Sequence, residues 1–188
     1  RAAEILIQEK RYDEACKAIR QGLTEDTNSD KHTTLLAFAS ELFKENQHKS
    51  CIELCELSNN ISVSELATEG IAKSFIRLRD FKSAIDTIFK YCNPKSLDKS
   101  RSLLKILGSC YTALHQYKKG VKYLKLALIN GDFADEETIE FLLECFYALK
   151  QYENVIRLGS ISNLQKPSPR ICMLKGMALN RIKSYEMA

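Results

Sequence analysis

The feature that most limits what this chain can fold into is a repeat of 33 to 36 residues. Tyr111-Thr112-Ala113-Leu114-His115-Gln116-Tyr117 is echoed 35 residues later by Phe146-Tyr147-Ala148-Leu149-Lys150-Gln151-Tyr152. At the same point of each period, an aromatic ring or His is followed three residues on by a mostly small residue. Those residues are Ala15, Cys51, Ala84, Gly120, Val155 and Ala188, spaced 36, 33, 36, 35 and 33 apart. A unit of this length cannot bury its apolar face alone, so it must stack against its neighbours.

Within the period the apolar spacing is helical. Leu104, Leu107, Cys110 and Tyr111 share one side of a helix, and Gly108 leaves room there for a second helix to approach closely. Short turns are expected around Arg11-Tyr12, Gln47-His48, Asp80-Phe81, His115-Tyr117, Gln151-Tyr152 and Lys183-Ser184-Tyr185. Thr24–Asp30 is polar, and Asn93-Pro94 and Pro167-Ser168-Pro169 break helices. Ser100, Asp135 and Ser168 are expected to cap helix starts.

The fullest copy runs from Arg101 to Asp132 and carries Leu104, Leu107, Gly108, Tyr111, Gly120, Leu124 and Ala127. This resembles the tetratricopeptide repeat (TPR) pattern W-x2-L-G-x2-Y…A-x3-F…P, with Leu for Trp and Asp for the final Pro. Other copies keep parts of it, such as Ala39 and Cys51, Ala72 and Ala84, or Gly176; repeat five has Leu143 in the small-residue slot. The resemblance implies an all-α, TPR-like right-handed superhelix of antiparallel helix pairs, an α-solenoid. It divides one domain, 1–188, into repeats at about 1–28, 32–64, 65–97, 101–133, 136–166 and a partial 169–188. An end repeat of a solenoid needs a polar cap. Neither terminus shows one, so a piece of a longer chain is expected.

Composition agrees. Of 188 residues, 45% are hydrophobic and 28% charged, with seven glycines and three prolines, which excludes a disordered or collagenous chain. The net charge of +4 is too small to announce a nucleic-acid surface. No apolar run approaches the roughly 18 to 20 residues that span a bilayer, and residues 1–6 carry no signal-peptide core. Seven cysteines, an odd number lying among apolar residues, read as reduced thiols of an intracellular protein, cytoplasmic, nuclear or both.

Catalytic chemistry is not announced. His48, Cys51 and Cys55 share a helix face, but zinc normally takes four ligands and no distant pair completes the set. Cys110 and Cys145 occupy equivalent packing slots, and His115 is badly phased to act as a base for Cys110. Glu137, Glu140 and Glu144 form a stripe, read either as a solvated face or as an acidic strip for a basic peptide. Lys73, Arg77, Arg79, Lys105, Lys118, Lys119, Lys122 and Lys125 read as solvated, with no aromatic platform interleaved. Phosphate-loop, dinucleotide, metalloprotease and nucleophile-elbow motifs are absent. Chaperone-binding members of the resembled family use an Asn-bearing clamp. The matching slots here hold Ser40, Lys73, Ser109 and Glu144, which argues against a co-chaperone. The expectation is a non-enzymatic chain with no cofactor and no metal.

The C-terminal third, with Cys145-Phe146-Tyr147 before the inner turn and a shortened second helix after it, is similar to the N-terminal regions of TPR subunits of the anaphase-promoting complex. That resemblance implies a scaffold subunit of a ubiquitin ligase that pairs with a second copy of itself. The broader reading is a protein–protein scaffold holding a helix or extended segment in its concave groove; an RNA-binding helical repeat and the regulatory arm of an enzyme are the alternatives. Helix phase places Phe43, Lys44, Lys73, Ile76, Arg77, Lys105, Ser109, Glu140, Glu144 and Tyr147 on that groove.

Overall fold

The computed structural model describes residues 5–6, 9–25, 31–130, 135–160 and 167–186, with the side chains of 23–25 and 184–186 excepted. Most of the Thr24–Asp30 connector and Ala188 lie outside the described residues. Every regular element among the described residues is an α-helix. We number them α1 (Tyr12–Glu25), α2 (Lys31–Lys44), α3 (His48–Ile61), α4 (Glu65–Arg77), α5 (Phe81–Tyr91), α6 (Pro94–Leu97), α7 (Arg101–Ala113), α8 (Tyr117–Ile129), α9 (Glu136–Ala148), α10 (Tyr152–Leu158) and α11 (Pro169–Glu186).

Two compact units result, Arg1–Asn93 with α1–α5 and Pro94–Ala188 with α6–α11. Within the first, α2 packs on α3, α3 on α4 and α4 on α5; within the second, α7 on α8, α8 on α9, α9 on α10 and α10 on α11. First helices of successive repeats also touch, α2 with α4, α7 with α9 and α9 with α11. This is the antiparallel helix-pair arrangement of an α-solenoid, as the period predicts.

Close packing explains the small residues. Ala15, Cys51, Ala84, Gly120 and Val155 are all buried. A Cβ at Gly108 would lie 2.4 Å from Leu124 Cγ, so only glycine lets α8 approach α7 as it does. A Cβ at Gly120 would meet both Cys145 Sγ and Thr112 Oγ1 at 3.0 Å. Around these contacts Leu103, Leu104, Leu107, Leu124, Ile139 and Leu143 are fully buried.

The inner turns share one backbone device. Lys10, Asn46, Arg79, His115 and Lys150 all adopt left-handed φ between 58° and 62°. Gln116 N donates to Tyr111 O at 2.8 Å and His115 N to Thr112 O at 2.9 Å, the bond pair of a Schellman helix end; Asp80 and Gln151 repeat it. No glycine occupies these sites, although a side chain there costs about 1–2 kcal/mol. Rings clasp across the turns: Phe43 meets His48 edge-on at 5.2 Å and Tyr147 meets Tyr152 at 5.5 Å.

The sixth turn differs from expectation. The sequence predicts a turn at Lys183-Ser184-Tyr185, but α11 runs unbroken through to Glu186. Lys183 keeps helical backbone and so avoids the left-handed φ that the other five turns adopt. Pro94 both ends the preceding connection and opens the unpredicted one-turn helix α6, where its missing N–H is harmless. The expected caps form. Ser100 Oγ accepts from Leu103 N at 3.3 Å, Asp135 from Thr138 N at 3.5 Å and Ser168 Oγ from Ile171 N at 3.3 Å. Ser64 and Asp80 cap α4 and α5 in the same way.

Gly108→Ala will lower stability by roughly 1–3 kcal/mol through overpacking against Leu124, measured by urea unfolding. Lys150→Gly will raise it by about 1 kcal/mol in the same assay by relieving the left-handed backbone.

Candidate functional site

The first unit holds a cleft of about 370 Å³ between α2 and α4, floored by α3. Its walls follow from helical phase. From α2 come Leu36, Ala39, Ser40 and Phe43; from α4 come Leu66, Glu69, Gly70 and Lys73. Both rows have i, i+3, i+4, i+7 spacing, which puts each row on one helix face. Cys51 and Cys55, one turn apart on α3, form the floor. Gly70 fixes how near α4 lies to that floor, since a Cβ there would sit 2.9 Å from Cys55 Sγ. Leu66 stands at the mouth, 70% exposed despite its apolar side chain. Glu69 and Lys73 neutralise each other as an i, i+4 ion pair. The cleft therefore offers apolar walls, one hydroxyl, two thiols and a neutralised polar edge.

The two thiols share a hydrogen bond. It pulls the Cys51 pKa below its ordinary value against the opposing effect of burial, and pushes Cys55 up, with burial adding to the rise. His48 turns its ring onto Phe43, and its Nδ1 is buried without a hydrogen-bond partner among the described residues. Burial, then the charge of Arg77, holds its pKa below the ordinary value. Among the described residues no group of three or more His, Cys, Asp or Glu is arranged to hold a metal ion.

Of the groove residues expected from helix phase, Phe43 and Lys73 line this cleft. Lys44 and Arg77 are exposed and Ile76 half-buried, one residue or one turn beyond its walls. In the second unit Lys105 pairs with Asp135 at 3.3 Å and Glu137 at 2.6 Å, and Arg101 joins Asp135 at 3.0 Å. Burial raises the Asp135 pKa, but the Thr138 hydrogen bond and the Lys105 and Arg101 cations outweigh it and hold the carboxyl below its ordinary value. Ser109 Oγ donates to Ile106 O at 2.9 Å, and Tyr147 packs against Tyr152.

The acidic stripe has an occupant within the chain. Glu136 accepts from Ser168 N at 2.6 Å, Glu140 from the Ser168 hydroxyl, and Glu144 pairs with Arg170. The positive end of the α11 dipole thus sits on a row of carboxylates. The lysine face of α8 is also more aromatic than the sequence suggests. Lys119 lies 5.2 Å from the Tyr111 ring, Lys122 5.5 Å from Tyr123 and Lys125 5.4 Å from Phe146. Tyr111 and Phe146 are buried and Tyr123 stacks on Tyr111 at 5.4 Å, so their faces are already taken.

Leu36, Leu66, Glu69 and Gly70 are wall residues that sequence reasoning missed. The signal was there as a second i, i+3, i+4, i+7 row on each helix, turned by one residue from the core row of Leu35, Ala39 and Leu42.

No family model matches the sequence, and no curated protein matches it either. Solved structures do resemble it. The crystal structure of MamA superposes with a TM-score of 0.64 at 12% identity, covering 100% of this chain and 98% of that one. TTC0263, a thermophilic TPR protein in Thermus thermophilus, superposes with a TM-score of 0.60 at 17% identity, covering 95% of this chain and 96% of that one. These likenesses establish the TPR-type fold. Among the described residues no helix is long and apolar enough to cross a membrane.

A His whose folded pKa is depressed contributes its full stability above its unfolded value and loses it as pH falls. Unfolding free energy will therefore decline as pH drops below about 6.5. His48→Phe will flatten that limb in urea titrations across pH 5 to 8.

Proposed function

We propose that this chain is a non-catalytic protein-interaction scaffold that seats an apolar side chain of a partner helix or extended segment between α2 and α4. The observation that carries this reading is the pair of matched rows on α2 and α4, with Leu36, Ala39, Phe43 and Leu66 as their apolar members and Leu66 left 70% exposed at the entrance. A concave site with apolar walls and a few polar groups is where a partner's side chain is most readily taken up. The neutralised Glu69–Lys73 pair demands no charge from the inserted residue, so selection is by shape and apolar area. Phe43 and Lys73 are the groove residues on the wall itself; Lys44, Ile76 and Arg77 continue the same helices toward flanking contacts. In the second unit Lys105, Ser109, Glu140, Glu144 and Tyr147 form the corresponding face, on which intrachain pairs compete with any partner. Membership of a multi-subunit assembly, a ubiquitin ligase in particular, is supported by the residue pattern around Cys145-Phe146-Tyr147 alone.

Peptides selected by display against the intact protein test the reading. Ser40→Trp fills the cleft and Leu66→Glu charges its mouth; both positions are exposed, so the fold tolerates them. Each will weaken the selected binders about tenfold or more, whereas Lys150→Glu will leave them unchanged. Binders indifferent to both changes would sink the proposal. Light scattering over a concentration series identifies a second copy as the partner if the mass rises to twice 21.4 kDa.

A further inference from the structure

One helix of the second unit carries charge of a single sign. The α8 segment holds Lys118, Lys119, Lys122 and Lys125 and no Asp or Glu. All four lysines are exposed. Among the described residues none of them pairs with a carboxylate, whereas Arg101, Lys105 and Arg170 on the first helices of the same unit each have an acidic partner. The placement works against the helix itself. Lys118 and Lys119 stand in the first turn, at the positive end of the dipole, where no acid and no side-chain cap from Gln116 offsets them. Like charges three and four residues apart also repel, as Lys118, Lys122 and Lys125 do. Local rules broken this way, without compensation inside the chain, mark a surface shaped for something outside it.

The lysines are ordered into a line. At 100° and 1.5 Å per residue, Lys118, Lys122, Lys125 and Ile129 fall within about 60° of helix arc and run about 16 Å along the axis. Ile129, at the far end of that line, is 67% exposed. Lys122 lies 5.5 Å from the Tyr123 ring and Lys125 5.4 Å from the Phe146 ring. A ring has no net charge, so these contacts hold the ammonium groups in place without neutralising them. An isolated exposed ion pair gains little because two long side chains must first be ordered. Here one side of that cost is already met, which favours a partner that presents its own charges on a rigid element.

We infer that the Lys118–Lys122–Lys125–Ile129 stripe docks an acidic helix of a partner protein, antiparallel to α8, with an apolar residue in its first turn and carboxylates four, seven and eleven residues after it. That spacing is the stripe read backwards, from Ile129 to Lys118. The antiparallel direction sets the partner's negative dipole end beside Lys118 and Lys119. Charge complementarity selects an acidic occupant, and the geometry selects a helix. A nucleic acid finds no free ring to stack on, since Tyr111 and Phe146 are buried and Tyr123 stacks on Tyr111, and it has no use for Ile129. A bilayer meets a stripe one residue wide, on a helix whose Leu124, Ala127 and Leu128 are buried in its own core. The α8 of a second copy would bring cations against cations. The inference is independent of the α2–α4 cleft, which lies in the other unit.

The probe is a fluorescein-labelled, Ala-based helical peptide with Leu in its first turn and Glu four, seven and eleven residues later. It is titrated by anisotropy against the 188-residue protein. A control peptide of the same composition spreads its three Glu around the helix. Saturable binding is expected, about tenfold tighter than for the control and weakening as salt rises. Lys122→Glu is expected to lower the affinity about tenfold or more, and Lys122→Ala to lower it less; both leave the circular dichroism spectrum unchanged because that side chain is exposed. Ser40→Trp is expected to change nothing. Absence of saturable binding, equal affinity for the two peptides, or indifference to both Lys122 variants would each overturn the inference. So would a thymidine oligonucleotide or phosphatidylserine vesicles that bind more tightly than the probe and lose that binding with Lys122→Glu, since the stripe would then read phosphate. A dimer in light scattering that Lys122→Glu dissolves would overturn it too, by making the occupant a second copy.

Discussion

The fold rests on the contact between two helix backbones where a side chain is missing. At Gly108 the Leu124 side chain occupies the space a Cβ would need, and at Gly120 Cys145 and Thr112 do the same. These close approaches let α8 fold back along α7 and lie against α9, and a helix pair buries little unless the two backbones come near. Everything else in a repeat serves that contact. The left-handed residues at Asn46, Arg79, His115 and Lys150 reverse the chain at a backbone cost, and the ring pairs across the turn help hold the reversal. At the sixth turn position the left-handed residue is absent and α11 continues through it to Glu186.

Function follows from what this packing leaves over. A first helix packs its core row against its second helix and exposes a neighbouring row. When two first helices lie side by side, their exposed rows face each other. In α2 and α4 these rows are Leu36-Ala39-Ser40-Phe43 and Leu66-Glu69-Gly70-Lys73, and the space between them is the proposed partner cleft. In α7, α9 and α11 the same geometry is filled by charge. Lys105 reaches Asp135 and Glu137, and Glu140 and Glu144 hold the start of α11. The difference lies in how charges pair on a shared frame: Glu69 and Lys73 pair along one helix and leave an opening, whereas the charged groups of the second unit pair across helices and close it.

The sequence reading succeeded where a residue's role depends on its own chain segment. The small slots at Ala15, Cys51, Ala84 and Gly120 are buried as their spacing requires, and Ser100, Asp135 and Ser168 cap the helices they precede. It succeeded less where the role depends on a segment about 30 residues away. Glu140 and Glu144 look available in sequence because their partners, Ser168 and Arg170, belong to the next repeat. The lysines of α8 look free of aromatics because Tyr111 and Phe146 lie on the helices before and after them.

By itself, then, the sequence determined the helix-pair architecture, the period of the repeats and the small residues that permit close packing. Each of these is set by local periodicity and by side-chain size, which are properties of short stretches of chain. Tertiary structure alone decided which exposed rows remain open. A row's availability depends on the side chains that neighbouring helices bring across to it, and the lengths and charges of those side chains meet only after the repeats have stacked. That is why Leu66 stands uncovered while Glu144, on an equally periodic row, already has its partner.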